Sequence, residues 1–184
     1  MGKSNLETKN LMIRESEFRD CEFFAEWEKS PKVTKYLAYD SDRNYETVVR
    51  EFVLDSHNQE KLQFTVIAKA DDRPIGRIHV TRVDRRNDSL DVTKFYIAED
   101  VENREQTAEE ALRRFLEYAF INLHMERITL DYFLENRLAA HLYEQIGFSS
   151  EGVMRNAVKK DGRYYDLHLM SVLRADYYDK IKDR

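Results

Sequence analysis

The chain reads as an α/β protein of the α+β kind: a mixed, mostly antiparallel central sheet of about seven strands with helices on both faces. Three observations predict this. Period-2 segments rich in β-branched and aromatic residues alternate with segments whose apolar residues recur at three and four positions. The strands before residue 98 are joined by short polar turns, which makes antiparallel neighbours, whereas the later ones are separated by helices, which makes a parallel crossover. No internal repeat and no linker interrupts the 184 residues, and 42% apolar with 12% aromatic composition supports one domain with its own core.

Residues 1–9 are polar and are expected to be loose, as are residues 174–184, a charged tail with some helical character. Residues 10–14 read as a first strand. Residues 16–30 carry Phe18, Cys21, Phe24 and Trp27 at helical spacing, so Cys21 and Trp27 are assigned to the core. Pro31 is expected to stop that helix, with a further helical turn at 33–37. Residues 44–57 form an amphipathic helix with Val48, Val49, Phe52 and Val53 as its buried stripe.

Strands follow at 64–70, 75–83 and 90–98, separated by turns at 71–74 and 84–89. Thr107 and Glu110 have the spacing of a capping box, which predicts a helix beginning just after Gln106 with Leu112, Phe115, Leu116, Ala119 and Phe120 turned inward. Residues 127–133 are a strand. Residues 136–146 are a helix with Leu138, Ala139, Leu142 and Tyr143 at its spacing, ended by Gly147. Two last strands, 148–158 and 163–173, are joined by a tight turn at Lys160, Asp161 and Gly162.

Composition also excludes. The net charge is −5 with no basic cluster, which argues against a nucleic-acid partner. A single cysteine, Cys21, rules out an internal disulfide and a Cys-x-x-Cys metal motif. His57, His124, His141 and His168 show no metal-ligand spacing, so no metal is expected. No apolar run is long enough to span a membrane, and the expected location is cytoplasmic.

The run Asn136-Arg-Leu-Ala-Ala-His-Leu-Tyr-Glu-Gln-Ile-Gly-Phe148, with Glu151-Gly152, Arg155, Asp161-Gly162, Tyr164, Asp166 and Met170 after it, resembles the C-terminal signature of the GCN5-related N-acetyltransferases (GNAT). The nearest branch is that of ribosomal-protein alanine and spermidine N-acetyltransferases. The helix Glu110-Ala-Leu-Arg-Arg-Phe-Leu-Glu-Tyr-Ala-Phe120 is similar to that branch's helix after its acyl-CoA loop. Together with the strand order, the resemblance spans about residues 10–173.

The resemblance implies transfer of an acetyl group from acetyl-CoA, as cosubstrate, to a small amine, a polyamine or a peptide N-terminus, with a homodimer as a common assembly. Tyr143 stands where the family keeps an acid for the leaving thiolate. A phenol of pKa about 10 is close enough to a thiol to share a proton with it. Its plain reading is a core tyrosine. Backbone amides near Tyr96 and Ile97 would stabilise the oxyanion. Asn136 matches an asparagine that touches the CoA arm, and is also a good N-cap. Asp91 is named as general base, with His79 on the neighbouring strand as the other titratable group.

The loop pattern Q/R-x-x-G-x-G/A falls on Asn103, Arg104, Glu105, Gln106, Thr107 and Ala108. Gln106 stands in place of a glycine, although a pyrophosphate loop uses glycine for close approach and positive φ. Glu99, Asp100, Glu102, Glu105, Glu109 and Glu110 face only Arg104 in this segment, and Glu105 is expected to weaken pyrophosphate binding most. A second reading therefore stands beside the first: a GNAT-fold module that binds or regulates without catalysis and has lost ordinary CoA binding.

Overall fold

A computed structural model describes residues 6–181. Eight strands form one sheet: β1 (Leu6–Glu7), β2 (Leu11–Glu15), β3 (Leu62–Ala68), β4 (Arg73–Asp84), β5 (Ser89–Ile97), β6 (Arg127–Phe133), β7 (Ser149–Lys160) and β8 (Arg163–Leu173). Their order is β1-β2-β3-β4-β5-β6-β8-β7, and the β5–β6 pair alone is parallel. The mostly antiparallel sheet matches the expectation, with one strand more. That strand corrects the reading of residues 1–9 as loose: Leu6 is buried and pairs with Ile13. Two residues are too short to show a period. Residues 174–181, also expected to be loose, are helical, and Tyr177 is buried with its ring 5.2 Å from that of Phe120; the loose ends expected at 1–5 and 182–184 lie outside the described residues.

Six helices flank the sheet: α1 (Cys21–Trp27), α2 (Pro31–Thr34), α3 (Tyr45–Ser56), α4 (Arg104–Ile121), α5 (Arg137–Ile146) and α6 (Arg174–Asp176). α1 and α3 pack together on one face around Cys21, Phe24, Val48 and Phe52. α4 and α5 cover the other, where Leu112, Phe115, Leu116 and Ile146 join the main core with Ile78, Leu130 and Val172. At about 25 cal/mol per Å² of apolar area buried, such a core is the dominant stabilising term.

Local chemistry departs from the sequence reading in four places. Pro31 begins a helix instead of only ending one: it sits at the first position of α2, after the Ser30 cap, where its missing N–H costs nothing. Val53 is half exposed, and Asp55 takes the inward position that the stripe gave to valine. Leu138 points out, 69% exposed, because α5 turns it into an open cleft. The Thr107–Glu110 capping box does not form. α4 starts at Arg104, its cap Asn103 has left-handed φ 52° and ψ 42°, and Glu110 instead accepts from the Thr8 hydroxyl and the Asn10 amide groups.

The Asp161–Gly162 turn takes φ 47° and 79°, the paired positive values that a tight right-twisting hairpin requires. Gly76 is held by a close approach: a Cβ there would lie 2.7 Å from the Tyr96 carbonyl oxygen and 2.7 Å from Ile97 Cδ1. β4 and β5 can meet at this height only because residue 76 has no side chain.

Candidate active site

The sheet opens where its parallel pair ends. β5 and β6 are in register from Ser89–Arg127 to Val92–Leu130, after which β5 runs on to Ile97 and β6 to Phe133 without pairing. At the same height β5 bulges: His79 faces Lys94 and Val80 faces Val92, which leaves Thr93 as the extra residue. The gap is a cleft of about 530 Å³.

The two faces of the sheet give the cleft two sides. On the α4–α5 side stand Ile97, Arg104, Gln106, Asn136, Tyr132 and Tyr143. On the α2 side stand Val33, Tyr36, Leu37, Tyr96, Asp131 and Phe133.

Ala98 donates its N–H to the Ile75 carbonyl at 2.8 Å, so strand alternation turns the N–H and C=O of Ile97 toward the cleft. The Ile97 carbonyl accepts from Arg104 Nε at 2.8 Å on that side. The Tyr96 amide is thereby turned to β4, and the Tyr96 hydroxyl donates to Glu28 at 2.9 Å. Of the two amides named from sequence, the one aimed at the cleft is that of Ile97.

Tyr143 is 8% exposed, with its ring 5.7 Å from Tyr132 and 5.9 Å from Phe148. Burial pushes its phenol above the usual tyrosine value, with the Asp131 carboxylate and Tyr132 adding to the effect. It therefore stays protonated through the neutral range and holds that proton more tightly than the ordinary value suggests.

Asp91 is elsewhere. It lies outside the residues that line the cleft, buried between Thr129, whose hydroxyl donates to it at 2.7 Å, and Arg82 at 2.9 Å. The carboxylate on the α2 side of the cleft is Asp131, which the sequence reading did not single out. Burial raises its pKa to about 6, the neighbouring Asp91 carboxylate adds to the rise, and Arg82 opposes it. Alternation in β6 with Tyr132 on the helix-packed face was the one signal that put residue 131 on the other side.

His79 faces away from the cleft, under α3. Its Nε2 is 3.0 Å from Asp55 Oδ2 but off the line a hydrogen bond needs. Glu51, Asp55 and His79 bring ligand atoms within 4.8 Å of one another, the one such group among the described residues. Lys94 on Glu51 and Lys61 on Asp55 already neutralise both carboxylates.

The α4 start was the contested segment. Positive φ falls on Asn103, a residue type that tolerates it, and Gln106 is helical, so no glycine is needed there. Thr107 donates to the Asn103 carbonyl at 3.0 Å, which leaves the amides of residues 104–106 as the unpaired first turn. Arg104, Glu105, Gln106 and Ala108 line the cleft; Asn103 and Thr107 do not.

Most of the acidic charge is spoken for. Asp100 pairs with Arg73 at 2.5 Å, Glu109 with Arg113 at 2.8 Å, and Glu99 accepts from Ser30 at 2.6 Å. Glu105 is the exposed acid left at the cleft. Asn136 caps α5, accepting from the Ala139 amide at 3.2 Å, and its side chain also lines the cleft. A splayed parallel pair, an open helix start and a buried phenol suit an extended anionic thioester.

The profile of the acetyltransferase (GNAT) domain matches residues 10–149. The chain belongs to the GNAT acetyltransferase family. Its reaction class is acetyl transfer from acetyl-CoA to an amine nitrogen. An uncharacterised N-acetyltransferase, p20, of Bacillus licheniformis is 25% identical over 94% of this chain and 97% of its own. The spermidine N(1)-acetyltransferase of Vibrio cholerae is 24% identical over 92% of this chain and 96% of its own. A crystal structure of spermidine N-acetyltransferase from Vibrio cholerae, in complex with CoA and spermine, superposes with TM-score 0.84 at 24% identity, covering 94% of this chain and all of that one.

No described helix is long and apolar enough to cross a membrane.

Proposed function

We propose that this GNAT protein binds acetyl-CoA along the α4–α5 side of the cleft and acetylates a primary amine that enters from the α2 side, with Asp131 accepting a proton from the amine and Tyr143 hydrogen-bonding the leaving sulfur. The observation that carries the reading is that the ends of β5 and β6 diverge after Val92 and Leu130, and that Asp131 and Tyr143 line the same gap.

The first-turn amides of residues 104–106, together with the dipole of an 18-residue helix, would hold the pyrophosphate. Asn136 would contact the pantetheine arm while capping α5. Ile97 N–H is the donor aimed at the thioester oxygen, where negative charge grows as nitrogen attacks.

Asp131 serves better than Asp91 as base, because it lines the cleft and Asp91 is held by Arg82 and Thr129. With a pKa of about 6 it is ionised at neutral pH and pairs with the incoming ammonium; that ammonium gives its first proton to solvent, the neutral amine attacks, and Asp131 takes the second proton from the nitrogen as the new C–N bond forms. Tyr143 donates a hydrogen bond to the departing sulfur, which leaves as the thiolate. Its raised proton affinity makes full transfer uphill, so it acts by a hydrogen bond that strengthens as thiolate charge develops.

Calorimetric titration of acetyl-CoA, followed by measurement of thiol release with an amine present, tests this. Binding with amine-dependent release is expected, and no binding at millimolar acetyl-CoA would overturn it.

A further inference from the structure

The α2 side of the cleft has a composition that selects among amines. Its walls are aliphatic and aromatic: Val33, Leu37 and Ala38 from α2 and the chain after it, Tyr36 with its ring 6.2 Å from Phe133, and Phe133 in turn 5.2 Å from the ring of Tyr165. One carboxylate, Asp131, stands among them.

The fixed charges around this side are mixed, three lysines against three carboxylates at the margin, but the one directly behind its wall is positive. Buried Lys160 reaches from the end of β7 and donates to the carbonyls of Thr34, Lys35 and Leu37, which places its ammonium 5.8 Å from the Phe133 ring, directly behind the wall. Lys35 lies 4.8 Å over the Tyr36 ring, and Lys32 stands exposed at the mouth. The carboxylates at the margin are occupied: Glu99 by Ser30, Asp161 by the amide and hydroxyl of Ser41, and Asp40 by the Asp161 amide.

We propose that the acceptor is a primary amine carried on an apolar or aromatic body with no second cation, selected by Tyr36, Leu37 and Phe133 around Asp131. This rests on the acetyl-transfer reading above. A single ammonium finds its one partner in Asp131, and its body replaces water on the aromatic walls. A polyamine brings further ammonium groups between walls whose lining on this side holds no carboxylate besides Asp131, with Lys160 behind them. Each buried charge without a partner is costly, and like charges are repelled.

The test compares 2-phenylethylamine with spermidine on the full chain. With acetyl-CoA present, kcat/KM for 2-phenylethylamine is expected to exceed that for spermidine by roughly tenfold or more. Equal or better use of spermidine would overturn the proposal. Binding of each amine is measured separately by calorimetry without acetyl-CoA, and acetyl-CoA binding without amine, so a failure of the acetyl-transfer reading is seen on its own. Tighter binding of 2-phenylethylamine than of spermidine supports the selectivity even then; the reverse order, or no binding of either, removes it. Lys32→Glu, an exposed change, is expected to shift the spermidine to 2-phenylethylamine ratio of kcat/KM upward by about threefold or more. An unmoved ratio would show that charge at this side does not select the acceptor.

Discussion

Val92 faces Leu130 at the last paired position of the two parallel strands, and beyond it β5 and β6 separate. The chemistry assigned to this protein depends on that gap. Its side chains and amides reach a common point only because the ladder stops there.

Tyr143→Phe is expected to lower kcat by about tenfold to a thousandfold while the KM for acetyl-CoA moves little, since the phenol acts on charge that develops in the transition state. Steady-state kinetics against acetyl-CoA decide it. A change confined to KM would assign the hydroxyl to ground-state binding.

Asp131→Asn is expected to reduce kcat/KM for the amine by about a hundredfold. In the wild type, kcat/KM should fall as pH drops through about 6, where Asp131 takes up its proton. The sign for stability is the opposite of the usual carboxylate case. The folded-state pKa is raised above the unfolded value of 3.8 to about 6, so ionised Asp131 destabilises the fold above that range. Removing the charge should therefore stabilise the protein at neutral pH by about 1–2 kcal/mol after allowance for partial solvent screening, with the gain fading below about 6 and absent below about 4. Denaturant melts across this range read it directly.

Glu105→Gln should tighten acetyl-CoA binding by about 1 kcal/mol, or roughly fivefold, because it removes the exposed carboxylate at the α4 start. The gain should shrink as salt is raised. If affinity were unchanged at low salt, the pyrophosphate would have to lie away from that helix end.

His79 sets an acid limit. Burial, with Lys94 and Arg77 close by, lowers its pKa to about 3 from an ordinary 6.5. The neutral ring is favoured in the fold, so its contribution to stability is complete above about 6.5 and is lost progressively as pH falls toward 3. His79→Asn should flatten the decline of the thermal midpoint between those values.

Gly76→Ala should cost about 1–3 kcal/mol, since the added Cβ meets the Tyr96 carbonyl oxygen at 2.7 Å and a backbone atom cannot turn aside as a side chain can. Because that carbonyl belongs to the strand carrying Ile97, turnover should fall more than acetyl-CoA binding does. Parallel measurement of the melting midpoint and kcat separates the two effects.

Sequence by itself determined the order of the longer strands and helices, the inward face of α4, the Asn136 cap and the place of Tyr143 on α5, because each is written in local spacing or in a local motif. Tertiary structure decided everything that depends on what stands opposite. The six acids around α4 look like an uncompensated cluster along the chain, yet Arg73 and Ser30 arrive from other segments to hold Asp100 and Glu99, and Arg113, one turn along α4, pairs with Glu109. Gln106 looks like a missing glycine until the backbone shows that positive φ sits three residues earlier, at Asn103. Asp91 and Asp131 are equivalent as letters in two strands. Arg82 and Thr129 take the first, while the second is left in the cleft with a raised pKa because the sheet parts just before it. Charge, burial and reach are properties of neighbours in space, and the partners of Asp100, Glu99 and, through Thr129, Asp91 lie tens of residues away in the chain.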